Sequence, residues 1–138
     1  MEGERMAEIR CRGISRGVAS GEVLLSPQAI SFYGGVDPLT GIITEKGHPL
    51  EGKSISGKVL VFPNGKGSTV GSYALYRMKK HGSAPVAMVN RETDAIVAVG
   101  AIISGIPMVD KPESDVFSLL KDGQKISVDG TEGKITFE

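Results

Sequence analysis

Residues 57–82 read GKVLVFPNGKGSTVGSYALYRMKKHG, and their order decides the architecture. The run GKVLVF is almost continuously apolar and β-branched, the pattern of a strand buried on both faces. Pro63, Gly65 and Gly67 break it. The next stretch, 68–82, turns to helical spacing: Val70, Tyr73, Ala74 and Arg77 or Met78 recur on one face. Arg77, Lys79 and Lys80 fall in the last turn, where they complement the helix dipole; His81 reads as a C-terminal cap and Gly82 as the stop. Strand, glycine-rich turn and helix in that order open a β–α–β unit.

Working outward, APVAMVN (84–90) reads as a second buried strand. ETDAIVAVGAIISGIP (92–107) fits either helix or strand; as a helix it would be capped by Thr93, with Ile96, Val97 and Ile102 as its apolar face and PMVD (107–110) as the following strand. ESDVFSLLKDG (113–123) predicts one helix, with Ser114 as cap, Val116, Leu119 and Leu120 inward, and Gly123 just past its end. QKISVDGTEGKITFE (124–138) alternates and turns at Gly130 to Gly133, a terminal hairpin.

Upstream, AEIRCRGISRG and VASGEVLLS predict two strands forming an antiparallel ribbon about a turn near Gly17. Val18, Val23 and Leu25 are its expected buried positions, and Pro27 its end. Residues 31–56 make a long loop rich in Gly, Pro, Asp and Thr. Its interleaved Phe32, Tyr33, Val36, Leu39, Ile42, Ile43 and Leu50 predict order and packing on the body, and loops of this length carry function or are disordered. The sum is one mixed α/β domain over 1–138, with more strand than helix, in a layered β/β/α arrangement.

Composition narrows the function. Sixteen basic and sixteen acidic residues cancel, which leaves no footprint for nucleic acid or an anionic membrane. No apolar stretch is long enough to span a bilayer, and MEGERMAEIRCRG has no apolar core of a signal peptide, so a cytoplasmic location is expected. Cys11 is the only cysteine. It reads as a strand residue facing the core, and it cannot alone hold a cluster or a structural zinc. The aspartates are scattered among separate turns, and no metal-ligand spacing emerges.

The loop before the first long helix carries the chemistry. Free N–H groups at a helix start and the dipole behind them make an anion site. Gly65 and Gly67 allow positive φ and close approach of a ligand, and Lys66 adds a full charge. The order Gly-Lys-Gly-Ser is not the Walker order, and no GxGxxG with a following acid is present. Ser68 has an ordinary explanation as a helix N-cap. A serine used in catalysis normally needs a partner for its proton, and neither His48, in a Gly-His-Pro turn at the surface, nor His81 is placed for that. A site built here would be incomplete, and the rest would come from another chain.

Three stretches together carry a resemblance: SFYGGVDPLTG (31–41), HPLEGKSISGKVLVFPNGKGSTVGSYALY (48–76) and AIVAVGAIISGIPMVD (95–110). In this order they resemble the small, swivelling subunit of the aconitase X family, and within it the branch acting on phosphomevalonate in archaea. The likeness implies a mobile β/β/α domain of the aconitase type and a large partner subunit carrying a [4Fe–4S] cluster. It implies a hydro-lyase that dehydrates (R)-5-phosphomevalonate to trans-anhydromevalonate 5-phosphate, in the archaeal mevalonate route to isoprenoids. The alternatives are a hydroxyproline dehydratase of the same two-part build and a non-catalytic swivelling module that docks on a larger protein. By the same resemblance Ser68 is the proton acceptor. Gly65, Lys66 and Gly67 are then expected as substrate or oxyanion contacts, with Thr69 and Ser72 as further polar contacts, Ser72 one turn beyond Ser68 on the same face. YGGVDPLTG would line the cleft or the partner interface.

Overall fold

A computed structural model describes residues 6–138; the first five, part of the stretch read above for a leader, lie outside the described residues. In chain order the elements are β1 (Ala7–Arg10), β2 (Arg12–Ser15), β3 (Val18–Leu25), α1 (Phe32–Gly35), β4 (Val59–Phe62), α2 (Gly71–His81), β5 (Ala87–Asn90), α3 (Ala95–Ser104), β6 (Met108–Asp110), α4 (Val116–Leu119), β7 (Lys125–Asp129) and β8 (Lys134–Phe137).

The buried run in β4 forms as expected, and its two faces build two different cores. Val59 and Val61 join Val23, Ala87, Val89, Val109, Val128 and Ile135 in one cluster. Leu60 and Phe62 join Leu24, Leu75, Met78, Met88, Val97 and Met108 in the other. Successive strand residues point to opposite faces, so a strand apolar at every position must sit between two layers. The first cluster fills the space between the two halves of the sheet, and the second lies under α2, α3 and the long loop. That is the β/β/α layering. Truncating a fully buried side chain such as Leu75 to Ala would cost about 2–5 kcal/mol.

The sheet order is β1-β8-β7-β3-β4-β5-β6-β2. β3 is the switch: its first part pairs antiparallel with β7 and its second part parallel with β4. β4, β5 and β6 continue in parallel, as two β–α–β units require. The terminal hairpin of β7 and β8 is present.

The N-terminal ribbon is not. β1 pairs with β8 and β2 with β6, so one extended segment, bent at Cys11, supplies both outer strands. The two edges of the sheet therefore meet there, and Cys11 N–H donates to the Gly133 carbonyl at 2.8 Å. Arg12 fixes the second edge through a bidentate pair with Asp110, both bonds 2.8 Å long. Alternation alone cannot choose a partner strand, and the hydrogen-bonding edges of β6 and β8 outcompete a local hairpin here. Val18 accordingly sits at the surface, while Val23 is buried and Leu25 is partly buried.

Other expectations shift by a residue or a face. α2 buries Gly71, Ala74, Leu75 and Met78, leaving Val70 and Tyr73 exposed. Gly82 ends it in the left-handed conformation, φ 75°. The segment read as helix or strand is the helix α3, but its cap is Asp94 rather than Thr93, and Ile102 faces out. α4 spans only four residues, is capped by Asp115 rather than Ser114, and exposes Leu119. The long loop is ordered on the body, burying Phe32, Val36, Ile43 and Leu50 and exposing Tyr33, Leu39 and Ile42. Its α1 is a single kinked turn. His48, expected at the surface, is buried. Its Nδ1 accepts from Leu50 N–H at 3.0 Å, so Nε2 carries the proton and donates to the Ala29 carbonyl at 3.1 Å. The ring thus ties the loop to the chain that leads into it.

Candidate functional site

The Gly-Lys-Gly-Ser loop leaves the C-terminal end of β4 and enters α2, the position at which parallel sheets present ligands. Each residue is held differently. Gly65 is buried, and its N–H donates to Asp94 Oδ2 at 2.8 Å. Its φ is not positive; it is glycine because a Cβ would overlap Val97 Cγ2 and lie 2.9 Å from Asp94 Oδ2. Lys66 N–H donates to the Ile30 carbonyl at 3.1 Å. Its Nζ reaches Glu45 Oε2 at 2.7 Å, so its charge is paired with the long loop. Gly67 has φ +98°, and a Cβ there would sit 2.6 Å from Ser31 Oγ.

Ser68 is exposed and does not cap α2. The position before the helix is Val70, with no side-chain cap, because a tight turn intervenes: Gly71 N–H donates to the Ser68 carbonyl at 2.9 Å. Ser68 Oγ instead accepts from Val70 N–H at 3.1 Å. The N–H groups of Gly67, Ser68 and Thr69, and of Ser72 and Tyr73 in the first turn of α2, make no hydrogen bond among the described residues. A hydroxyl that accepts an N–H and stands among open amides is placed to carry negative charge. Thr69 is exposed beside it.

Ser72 departs from expectation. Its Oγ donates to the Ile96 carbonyl at 2.6 Å, which turns it toward α3 and away from Ser68. The structure thus gathers Lys66, Gly67, Ser68 and Thr69, and it commits Gly65 and Ser72 to the scaffold.

Ser31, Tyr33, Gly34 and Glu45 of the long loop join Lys66 and Gly67 around a shallow depression beside the serine. A neighbouring groove is lined by Phe32, Tyr33, Val70 and Tyr73, so YGGVDPLTG borders the site. Glu45 and Asp94 were not legible as site residues. Asp94 did carry a signal, being a cap-type residue three positions before Val97, but that signal speaks of a helix start and not of Gly65.

A [4Fe–4S] cluster needs several thiolates, and this chain has one cysteine. Cys11 is partly buried, and burial, together with the charges of Asp110 and Glu113, pushes its thiol up to about 12, the reverse of a ligand's requirement. Among the described residues no three His, Cys, Asp or Glu side chains converge. The residues present do not fit such a cluster. Among them, too, no helix is long and apolar enough to cross a membrane.

The body is a layered β/β/α domain whose glycine-rich loop, at the C-terminal end of β4, presents an exposed serine. The family model of the aconitase X swivel domain matches residues 8–137, and the chain belongs to that family. It is 62% identical over 124 residues to the phosphomevalonate dehydratase small subunit of Methanosarcina mazei, covering 90% of this chain and 86% of that one. The protein of the same name from Methanosarcina acetivorans is 60% identical over 128 residues, covering 93% and 89%. The crystal structure of Thermococcus kodakaraensis aconitase X in its holo form superposes with a TM-score of 0.88 at 52% identity, covering 94% of this chain and 96% of that one.

Proposed function

We propose that this chain is the small subunit of a phosphomevalonate dehydratase, a hydro-lyase of the archaeal mevalonate pathway that works with a large subunit in the cytoplasm. Relatives of that name match nearly the whole chain at more than half identity, and these names favour the phosphorylated hydroxy acid over hydroxyproline. In this reading the [4Fe–4S] cluster and the remaining substrate contacts belong to the large subunit.

The contribution of this chain is a base. Removal of water from (R)-5-phosphomevalonate takes a proton from the carbon next to the carboxylate while the hydroxyl leaves the neighbouring carbon, and the double bond forms between them. Ser68 Oγ, having first given its own proton to the solvent that reaches it, accepts the substrate proton and returns to the neutral hydroxyl. Val70 N–H, already on Oγ at 3.1 Å, stabilises the alkoxide. The open amides of Gly67, Ser68 and Thr69 hold the negative charge that develops on the substrate. Lys66 attracts an anionic group of the substrate, in competition with Glu45.

The observation that carries the reading is the exposed Ser68 hydroxyl, fed by one N–H at the mouth of α2. The test is anaerobic co-expression with the large subunit and an assay of water loss from (R)-5-phosphomevalonate. Ser68→Ala should lower kcat by at least about 100-fold, the usual worth of a positioned base, with assembly intact. A variant turning over at the normal rate would end the assignment.

A further inference from the structure

We infer that Asp94 is a positioning residue for Ser68, the device that aims the loop. This rests on the reading of Ser68 as the base. The Asp94 carboxylate divides its two oxygens between two elements: Oδ1 accepts Val97 N–H at 2.9 Å and caps α3, and Oδ2 accepts Gly65 N–H at 2.8 Å. One carboxylate therefore welds the start of the serine loop to the start of α3. The weld is anchored further back. Thr93 N–H donates to Asp110 Oδ2 at 2.8 Å, and Asp110 is fully buried under its paired Arg12. From the other side the Ile30 carbonyl takes Lys66 N–H, and Ser31 leaves no room for a Cβ at Gly67.

With the amides of Gly65 and Lys66 both spoken for, the next three along the chain, Gly67 to Thr69, make no hydrogen bond among the described residues. The fit at Gly65, where no side chain is admitted, shows how closely the loop is pressed onto Asp94 and Val97. A short, rigid mount of this kind holds a hydroxyl in place before the substrate arrives, and small misplacements of a reacting group are costly in rate.

Asp94→Ser separates the two duties, because serine still caps a helix but does not reach Gly65. In the assembled enzyme, acting on (R)-5-phosphomevalonate, kcat per assembled complex should fall about 10- to 100-fold with KM nearly unchanged. In the isolated small subunit, amide hydrogen exchange followed by NMR should quicken at Gly65 by at least about tenfold while Val97 keeps its protection. Asp94→Asn, which can accept from only one of the two amides, serves the same readouts should the serine variant not fold. A purely structural role predicts the opposite split, with a lower melting temperature and unaltered kcat per complex. Wild-type kcat, or unchanged Gly65 exchange, in a folded variant overturns the inference. Ser68→Ala is run alongside. If it is inactive while Asp94→Ser is fully active, only the positioning role falls; if Ser68→Ala is active, the base assignment falls and takes this inference with it.

Discussion

Lys66 Nζ lies 2.7 Å from Glu45 Oε2, so the one lysine of the serine loop is held by a carboxylate contributed by the long 31–56 loop. Both side chains keep contact with solvent, and such pairs are worth about 0.2–1 kcal/mol. An anionic substrate group can therefore displace Glu45 at small cost.

Lys66→Ala should raise KM for phosphomevalonate by about tenfold or more, the cost of losing a charge-assisted bond. Glu45→Gln should lower KM, by up to about fivefold if the whole pair energy is released. Steady-state kinetics on the assembled enzyme measure both, and an unchanged KM in Lys66→Ala would reduce the lysine to a surface residue.

At Gly67 two constraints coincide, a positive φ and the nearness of Ser31 Oγ, which a Cβ at this position would meet at 2.6 Å. Gly67→Ala should destabilise the loop by about 1–3 kcal/mol and depress activity. Adding Ser31→Gly removes the contact but not the backbone strain, so it should restore only part of both losses. Full restoration would show that the contact alone required glycine.

Cys11 should be inert to iodoacetamide near neutral pH, because its thiol is held protonated by burial and by Asp110 and Glu113. A raised folded-state value means that the native chain keeps a proton the unfolded chain gives up. The stabilisation is complete below the unfolded value of about 9 and is lost as pH rises toward about 12. Wild type should lose stability across that window relative to Cys11→Ala, as read from denaturant unfolding at a series of pH values.

His48→Ala removes the ring that joins Leu50 N–H to the Ala29 carbonyl inside the protein. Leaving those groups without partners should cost about 1–3 kcal/mol. Limited proteolysis should then cut within 31–56 well before the sheet opens; equal resistance of variant and wild type would deny the ring its role as a tie.

The sequence was most informative where one local pattern served one purpose. The apolar run in β4, the helix ending at Gly82 and the terminal hairpin were all legible because strand alternation, capping and turn chemistry are short-range. His48 was misread because a Gly-His-Pro turn looks like surface until the chain on either side is known. Ser72 shows a related limit: helical spacing puts it near Ser68, and the approach of α3, which spacing does not reveal, gives its hydroxyl a carbonyl to bond. The N-terminal segment shows the limit most plainly. Its alternation predicted strands, while the choice of β8 and β6 as partners depended on edges formed by residues a hundred positions away.

By itself the chain of residues determined that a strand, a glycine-rich loop and a helix would follow one another, and that the loop would offer a serine and a lysine. Folding decided which of those groups stay available. It paired Lys66 with Glu45, spent the amide of Gly65 on Asp94, and left Ser68 in the open with Val70 N–H on its oxygen. The reason is that backbone geometry is set by neighbours in sequence, whereas the partner of a hydrogen-bonding group is set by whatever distant segment packing brings within reach.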